Sequence, residues 1–370
     1  MEQTAELWLC SPDGVLLMPG VPLTGMKWTL EDRAFGVLRA SGPYSELDPA
    51  LLSENTRFEV HRFANGMPLP VVGNTQFLLR AWTFQEDSRG AETWSIEAYT
   101  PEYWLTGRIV DSHASTEGAV NPLTTKTGPA DDLMKYWVEE NIGTQASINR
   151  IVNMLIVEGA LGLAQTTTKS CAWVNLKTVL DDLAADSTYL GTYLTYGIEY
   201  VAPYFFFKTW VGQRGMDRTA GSGKTYIVSK EMGNLAEPSM TFDYRDVATA
   251  VRGGGQGEGI NRVTAYAEDT QRSTNTPFSF RDRFLQSNST DSAAILADCQ
   301  AELGKYHPRV HFTGKLEMTG EEVYGQTVNF GDKVTAQYRG YSMDCHINRE
   351  EGNYSRETGL VMDIRLRGTI

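Results

Sequence analysis

The chain has 370 residues, 41% of them hydrophobic, 21% charged and 11% aromatic. That length suits two to four domains, and such a chain buries roughly 75% of the surface its extended form exposes. The composition excludes wholesale disorder, collagen and disulfide-miniprotein classes. Acidic residues outnumber basic ones by 46 to 33, a formal charge of -13. A groove built to grip nucleic acid needs the opposite sign, and the field repels anionic membrane surfaces. An acidic wall does suit a passage through which nucleic acid must move without sticking. No apolar run approaches the roughly 18 residues of a transmembrane helix. Met1 to Asp13 lacks the basic-then-apolar pattern of a secretory signal. Cys10, Cys171, Cys299 and Cys345 are scattered without a Cys-x-x-Cys, so they read as small buried hydrophobes made in a reducing cytoplasm.

In chain order, Lys27 to Ala40 predicts two short strands. Arg57 to Phe63 alternates, with Phe58 and Val60 on one face, and Asn65-Gly66 supplies the φ > 0 pair of a tight hairpin. Gln76 to Gln85 and Thr93 to Leu105 are further aromatic and β-branched strands, with Asp87 to Ala91 as the turn between them. His113 to Pro129 is rich in Thr, Ser, Gly and Pro and reads as a loop. Asp131-Asp132 then open a helix where carboxylates complement the dipole. Leu133, Met134, Trp137, Val138 and Ile142 form its stripe, and Gly143 closes it. Leu176, Val179, Leu180 and Leu183 make a second helical stripe. Tyr189 to Trp210 is strand-like and broken at Pro203. Thr225 to Ser229, Met240 to Tyr244 and Asn261 to Ala267 predict strands, the last two separated by a Gly-rich tract. Ser292 to Tyr306 predicts a helix with Ala293, Leu296, Cys299 and Leu303 inward and Asn288-Ser289-Thr290 as cap residues. Val310 to Ile370 returns to strands. The expected fold class is α+β and β-rich, with β-barrels flanking an α+β insert.

Gly221-Ser222-Gly223-Lys224-Thr225 looks like the end of a phosphate-binding loop. The motif needs glycine where Arg218 stands, and a helix where Tyr226-Ile227-Val228 predicts a strand, so a hairpin tip is the better reading. Gly253 to Gly259 invites a dinucleotide fingerprint, but every frame fails at the third glycine, at Glu258, Ile260 or Arg262. Glycines there permit φ > 0 or close backbone approach. His307 and His311 flank Pro308, which disfavours a shared helical face for a metal. Asp131-Asp132, Glu139-Glu140 and Asp181-Asp182 are helix neighbours pointing about 100° apart, so no pair frames a glycosidic bond alone. No Gly-x-Ser-x-Gly elbow occurs. Phe205, Phe206 and Phe207 read as core or interface packing. The residues therefore nominate no catalytic residue, no cofactor and no metal site.

Several segments in order resemble a known family. These are the hub proteins at the tip of long-tailed bacteriophage tails, siphophage-type relatives of the contractile-tail baseplate hub. Gly215-Met216-Asp217-Arg218-Thr219 resembles its Gly-x-Asp-Arg turn. Ser229 to Leu235, with Gly233-Asn234, resembles its Phe-Ser-x-Glu-x-Gly-Asn-Leu segment, with Lys230 and Met232 inside the stretch and the leading Phe missing. Gly254-Gly255-Gln256-Gly257-Glu258-Gly259 with Arg262 resembles its Gly-Gln-Gly-Glu-Gly-x-x-Arg turn. Tyr324-Gly325 and Phe330-Gly331-Asp332-Lys333-Val334 resemble its closing hairpin. The match spans residues 100 to 340.

The resemblance implies two barrels like those of the tail tube. The first, assigned on its strand pattern alone, covers residues 1–107. The insert covers 108–199 and 240–310. The second barrel covers 200–239 and 311–370. It implies a structural protein of the virion tail tip, made in the bacterial host cytoplasm and lacking enzymatic activity. It also implies a homotrimer forming a pseudo-sixfold ring. Its partners are other tail proteins: a distal tail or tube ring, tip or fibre proteins and a tape measure. Genomic DNA passes through without specific binding, and this chain inserts in no membrane. Alternatives are a tail-associated cell-wall hydrolase and a carbohydrate-binding module.

Overall fold

A computed structural model describes residues 3–70, 76–111, 124–287, 290–319 and 322–369. The N-terminal stretch forms β1 (Gln3–Cys10), β2 (Leu16–Met18), β3 (Gly25–Glu31), β4 (Val37–Pro43), β5 (Arg57–Ala64), β6 (Met67–Pro68), β7 (Gln76–Glu86) and β8 (Glu92–Tyr99). The middle forms α1 (Tyr103–Thr106), β9 (Thr124–Pro129), α2 (Ala130–Ile142), β10 (Leu155–Val157), β11 (Thr166–Cys171), α3 (Leu176–Tyr189), β12 (Leu194–Val201) and β13 (Tyr204–Val211). Next come β14 (Asp217–Arg218), β15 (Ile227–Ser229), β16 (Leu235–Asp243), β17 (Ala250–Gly254), β18 (Thr264–Glu268), α4 (Thr270–Ser273), β19 (Asp282–Gln286) and α5 (Ser292–Lys305). The chain closes with β20 (Arg309–Leu316), β21 (Lys333–Tyr338), β22 (Tyr341–Ser355) and β23 (Gly359–Thr369).

Both strand-rich ends belong to one 15-stranded sheet, ordered β16-β20-β23-β22-β3-β4-β8-β7-β5-β1-β2, with β14 and β15 added through β21. Local sequence explains the ladder. In β5, Phe58 and Val60 are buried on one face, as the alternation requires. Asn65 and Gly66 both hold positive φ, 49° and 75°, which lets the chain reverse into β6.

The two ends meet in β22. Its first half, Tyr341–His346, pairs with β21, and its second half, Arg349–Ser355, pairs with β3. A bulge between Ile347 and Arg349 marks the change. One core lies under the N-terminal strands, around Leu7, Trp28, Phe58, Phe77 and Trp94, and Tyr354, Leu360 and Met362 of the last hairpin pack against it. The second core holds Val228, Phe312, Tyr324, Val334, Cys345, Ile347 and Leu366.

The fold is thus mostly β with several antiparallel sheets, as expected. The closed barrels are corrected to halves of one open ladder: among the described residues no pairing joins its ends. The physical reason is that β22 and β23 serve both halves, so neither half closes on strands of its own.

The middle builds two further cores. α2 and α3 pack on the β12–β13 hairpin through Met134, Trp137, Val138, Leu180, Ile198, Phe205 and Phe207. That hairpin straddles residue 200 and lies wholly in this core. The expected stripes of α2 and α3 are all buried, and Gly143 caps α2 in an extended conformation. Separately, β17, β18 and β19 form a three-stranded sheet under α5, with Val251, Ala267, Ile295 and Cys299 between them.

Other expectations are corrected. Thr124–Pro129 is strand β9, not loop: it pairs with β11, and Thr127 and Thr168 hydroxyls bond at 2.8 Å. The rest of that loop, residues 113–123, lies outside the described residues. In α5, Ala293 and Leu296 face solvent, and Ile295 with Cys299 faces inward. Asn288 and Ser289 lie outside the described residues; Asp291 caps α5 by accepting from the Ala293 amide at 3.0 Å. All four cysteines are buried and unpaired thiols.

Candidate functional site

Three of the four motif segments converge on β21. β14 and β15 run parallel to it, Asp217 opposite Lys333 and Ile227 opposite Thr335. The centre is Asp332, which is 1% exposed. Its Oδ1 accepts from the Met216 amide at 2.7 Å. Its Oδ2 accepts from Arg218 Nε at 2.7 Å and from the Asn329 amide at 3.0 Å. Gly215 donates to the Gly331 carbonyl at 2.9 Å, and Lys333 to the Met216 carbonyl at 3.0 Å. Space here excludes any side chain at Gly215: a Cβ would stand 2.3 Å from Asp332 Oδ1. Gly331 turns at φ 84°. Asp217 points away and caps its own turn, accepting from the Thr219 amide and hydroxyl, which hold its carboxyl below the usual range.

Gly233 and Asn234 stand at the other end of β15. Asn234 is buried, accepts from the Ser229 amide at 2.9 Å and donates to the Ile227 carbonyl at 3.0 Å. Its amide thereby stands in for a ladder partner where β15 turns into β16. Gly233, at φ 76°, makes that turn.

The fourth segment lies in a different sheet. Gly254 ends β17, and the chain arches through Gly257 (φ 99°), Glu258 and Gly259 (φ 55°) into β18. Arg262 clamps the arch, donating to the Gly255 carbonyl at 3.2 Å and the Gly254 carbonyl at 3.3 Å, and its side chain also bonds Gln286. Its guanidinium covers the Phe284 ring at 5.1 Å. Glu258 contributes through its carbonyl, which accepts from Asn261. Ile260 stands fully exposed at the tip.

Sequence reasoning missed two devices. Asp131 and Asp132 do more than open α2: they accept from the amides of Leu161, Gly162, Leu163 and Ala164, fastening a distant loop. Glu350, 3% exposed, accepts from Tyr324 at 2.7 Å and Trp28 at 3.3 Å, joining the two large cores.

The chemistry-bearing groups are engaged structurally. Cys10, Glu59 and His61 come together, but burial and Glu59 push the Cys10 thiol up to about 11, away from a nucleophilic thiolate. A surface groove of about 550 Å³ crosses β22, β3, β4, β8 and β7, and its one acid, Glu97, is held below the usual range by Tyr99 and Arg39. A second groove, of about 430 Å³, holds Glu237, Glu351 and Asp363, each paired with Arg349 or Arg365. A general acid needs the opposite of the shift at Glu97. Among the described residues no three His, Cys, Asp or Glu side chains are placed to hold a metal. His307 contacts Arg272, whereas His311 lies on β20. The Gly221–Thr225 segment leads into strand β15, without the helix a phosphate loop requires. Among the described residues no helix is long and apolar enough to cross a membrane.

The fold recurs in known proteins. The tail protein of Neisseria meningitidis MC58 superposes with a TM-score of 0.53 at 11% identity, over 99% of this chain and 97% of that one. The 43 kDa tail protein of prophage MuSo2 from Shewanella oneidensis gives 0.53 at 12% identity, over 98% of each. No curated protein sequence matches significantly. The family model described as Siphovirus ReqiPepy6 Gp37-like protein matches residues 76–364. With more than three quarters of its length under that one match, and the fold of phage tail proteins, the chain belongs to the siphovirus ReqiPepy6 Gp37-like family.

Proposed function

We infer that this protein is a structural hub of the phage tail tip. Three copies make a ring, each contributing two tube-like units, so that six units match a hexameric tube to a threefold tip. The observation that carries this is β22, a single strand shared by two strand-rich units. A rigid joint of that kind holds two units at a fixed angle, as a pseudo-sixfold ring requires. The division keeps the units read from the sequence, 1–107 and 200–239 with 311–370 around an insert of 108–199 with 240–310, except that the β12–β13 hairpin goes with the insert, in whose core it lies.

Closure through heterologous contacts satisfies exposed strand edges without growing a filament. Other tail proteins bind above and below: a distal tail or tube ring, tip or fibre proteins and the tape measure. The acidic surplus leaves DNA in the lumen few phosphate contacts. The motif residues Gly215, Asp217, Arg218, Gly233, Asn234, Gly254, Gly257, Glu258, Gly259, Arg262, Gly331 and Asp332 serve as turns and clasps, and the chain carries no chemistry. It is made in the host cytoplasm and resides in the virion. Mass photometry of purified protein tests this. Three copies and ring-shaped images are expected, and a protein that stays single at every concentration would remove the ring.

A further inference from the structure

The two ends of the large sheet differ in kind. β2 is one end and pairs only with β1 among the described residues. Val15, Leu16 and Leu17 are exposed there, at 63%, 46% and 41%. Neither charge nor proline falls within Val15 to Met18; the protection here is the shortness of β2, a slip in its ladder with β1, and the flanking Asp13 and Pro19.

β16 is the other end and pairs only with β20 among the described residues. Its first half is blunted. The ladder slips between Ala236 and Ser239, Glu237 sits at φ 47°, and Pro238 has no N–H to offer. Its second half, residues 239–243, is regular and open. Phe242 meets Tyr341 there edge-on at 5.4 Å, and with Tyr244 these make an exposed aromatic patch.

We propose that these ends are partners: β2 of one copy adds to residues 239–243 of β16 on a second copy, and Val15 to Leu17 cover Phe242 and Tyr244. The occupant is a second copy of this chain because the ends complement each other and not themselves. Pairing β2 with β2 makes a twofold contact and leaves both aromatic patches bare. Pairing unlike ends uses both terminal strands of the sheet once the ring closes. A three-residue strand also fits the regular half of β16, whose first half rejects a longer one. Other stretches paired on one side only, Gln3–Trp8 of β1, Ala81–Glu86 of β7, Tyr341–Cys345 of β22 and Gly359–Asp363 of β23, lie within the sheet and belong to neither terminal strand. The proposal rests on the ring reading and names its contact.

The test introduces Leu17→Cys and Thr241→Cys separately into the full chain, whose native thiols are buried. Val15→Cys, Leu16→Cys, Ser239→Cys and Phe242→Cys scan the register. Mild oxidation is expected to link copies only when one residue of each set is present, and a double variant is expected to give a covalent trimer. Links between two Leu17→Cys copies would overturn the proposal. So would a trimer that links at no register, which leaves the hub reading standing without this contact. A wild-type chain that never associates overturns both. Independently, Leu16→Lys lies at an exposed position and should keep the circular dichroism spectrum while weakening association roughly tenfold or more. Unchanged association of that variant counts against the contact.

Discussion

Arg218 and Asp332 lie 114 residues apart in the chain and 2.7 Å apart in the fold, where the arginine donates Nε to a carboxylate that is 1% exposed. The same carboxylate also accepts two backbone amides. Asp332→Ala therefore strands the Met216 and Asn329 donors together with the Arg218 charge, at a cost of about 3 kcal/mol. Arg218→Ala should cost less, because the amides still hold the carboxylate. Urea melts of both variants check the order. A loss under about 0.5 kcal/mol for Asp332→Ala would mean that the clasp is ornamental.

The glycine arch ranks its own substitutions. Gly257 combines φ 99° with a Cβ site 2.6 Å from the Asn261 carbonyl oxygen, so Gly257→Val meets both strain and backbone. Gly259 has φ 55° and nothing within 4 Å of its Cβ site. We expect Gly257→Val to cost about 2 kcal/mol or more and Gly259→Ala about 1 kcal/mol. Thermal melts that reverse this order would refute the assigned roles.

Periodic apolar spacing made α2 and α3 legible, since every residue of both stripes is buried. α5 was legible as a helix, with Cys299 and Leu303 inward as expected, but Ala293 and Leu296 face solvent and Ile295 was missed. Ile295 and Cys299 pack on Gly253, where a Cβ would sit 2.4 Å and 2.5 Å from them. A glycine has no side chain to announce such a contact. The Gly tract likewise concealed strand β17, and the threonines of β9 read as loop because their partners are the distant residues of β11. Each turn motif could be recognised by itself. That Arg218 and Asp332 complete one clasp is information about three dimensions, and local sequence does not carry it.

Acid should loosen the junction around His346. Burial holds this imidazole below the ordinary histidine value of 6.5. Its Nε2 bonds the Gly212 carbonyl at 2.8 Å, and its ring stacks on Tyr193 at 3.8 Å. Asp32, Lys333 and Asp344 are the charged groups whose fields reach it. Because the folded value is depressed, the unfolded chain binds the proton first. Stability is full above about 6.5 and falls as pH drops from there toward the folded value. His307 and His311 shift in the same direction, so His346→Gln should reduce the slope without removing it. Denaturant melts at pH 7.5, 6.5 and 5.5 (about one unit apart on either side of the histidine range) read this. An unchanged slope in the variant would clear His346 of the role.

The shared strand β22 makes the two large cores mutually dependent. Tyr354, Leu360 and Met362 cover the N-terminal core from the far end of the chain. Glu350 takes a hydrogen bond from each core, Trp28 on one side and Tyr324 on the other. Burial and the neighbouring Glu350 hold the Tyr324 hydroxyl well above its usual range, so it stays a donor. Tyr324→Phe removes that donor and leaves a buried carboxylate oxygen short of a partner, at a cost of about 2 kcal/mol. A fragment of residues 1–107 lacks the closing hairpin altogether and should show no cooperative melt. Residues 1–107 mixed with residues 311–370 should regain one only if β22 can dock on β3. Cooperative unfolding of the first fragment alone would show that its core is self-sufficient and that β22 is a tether, not a joint.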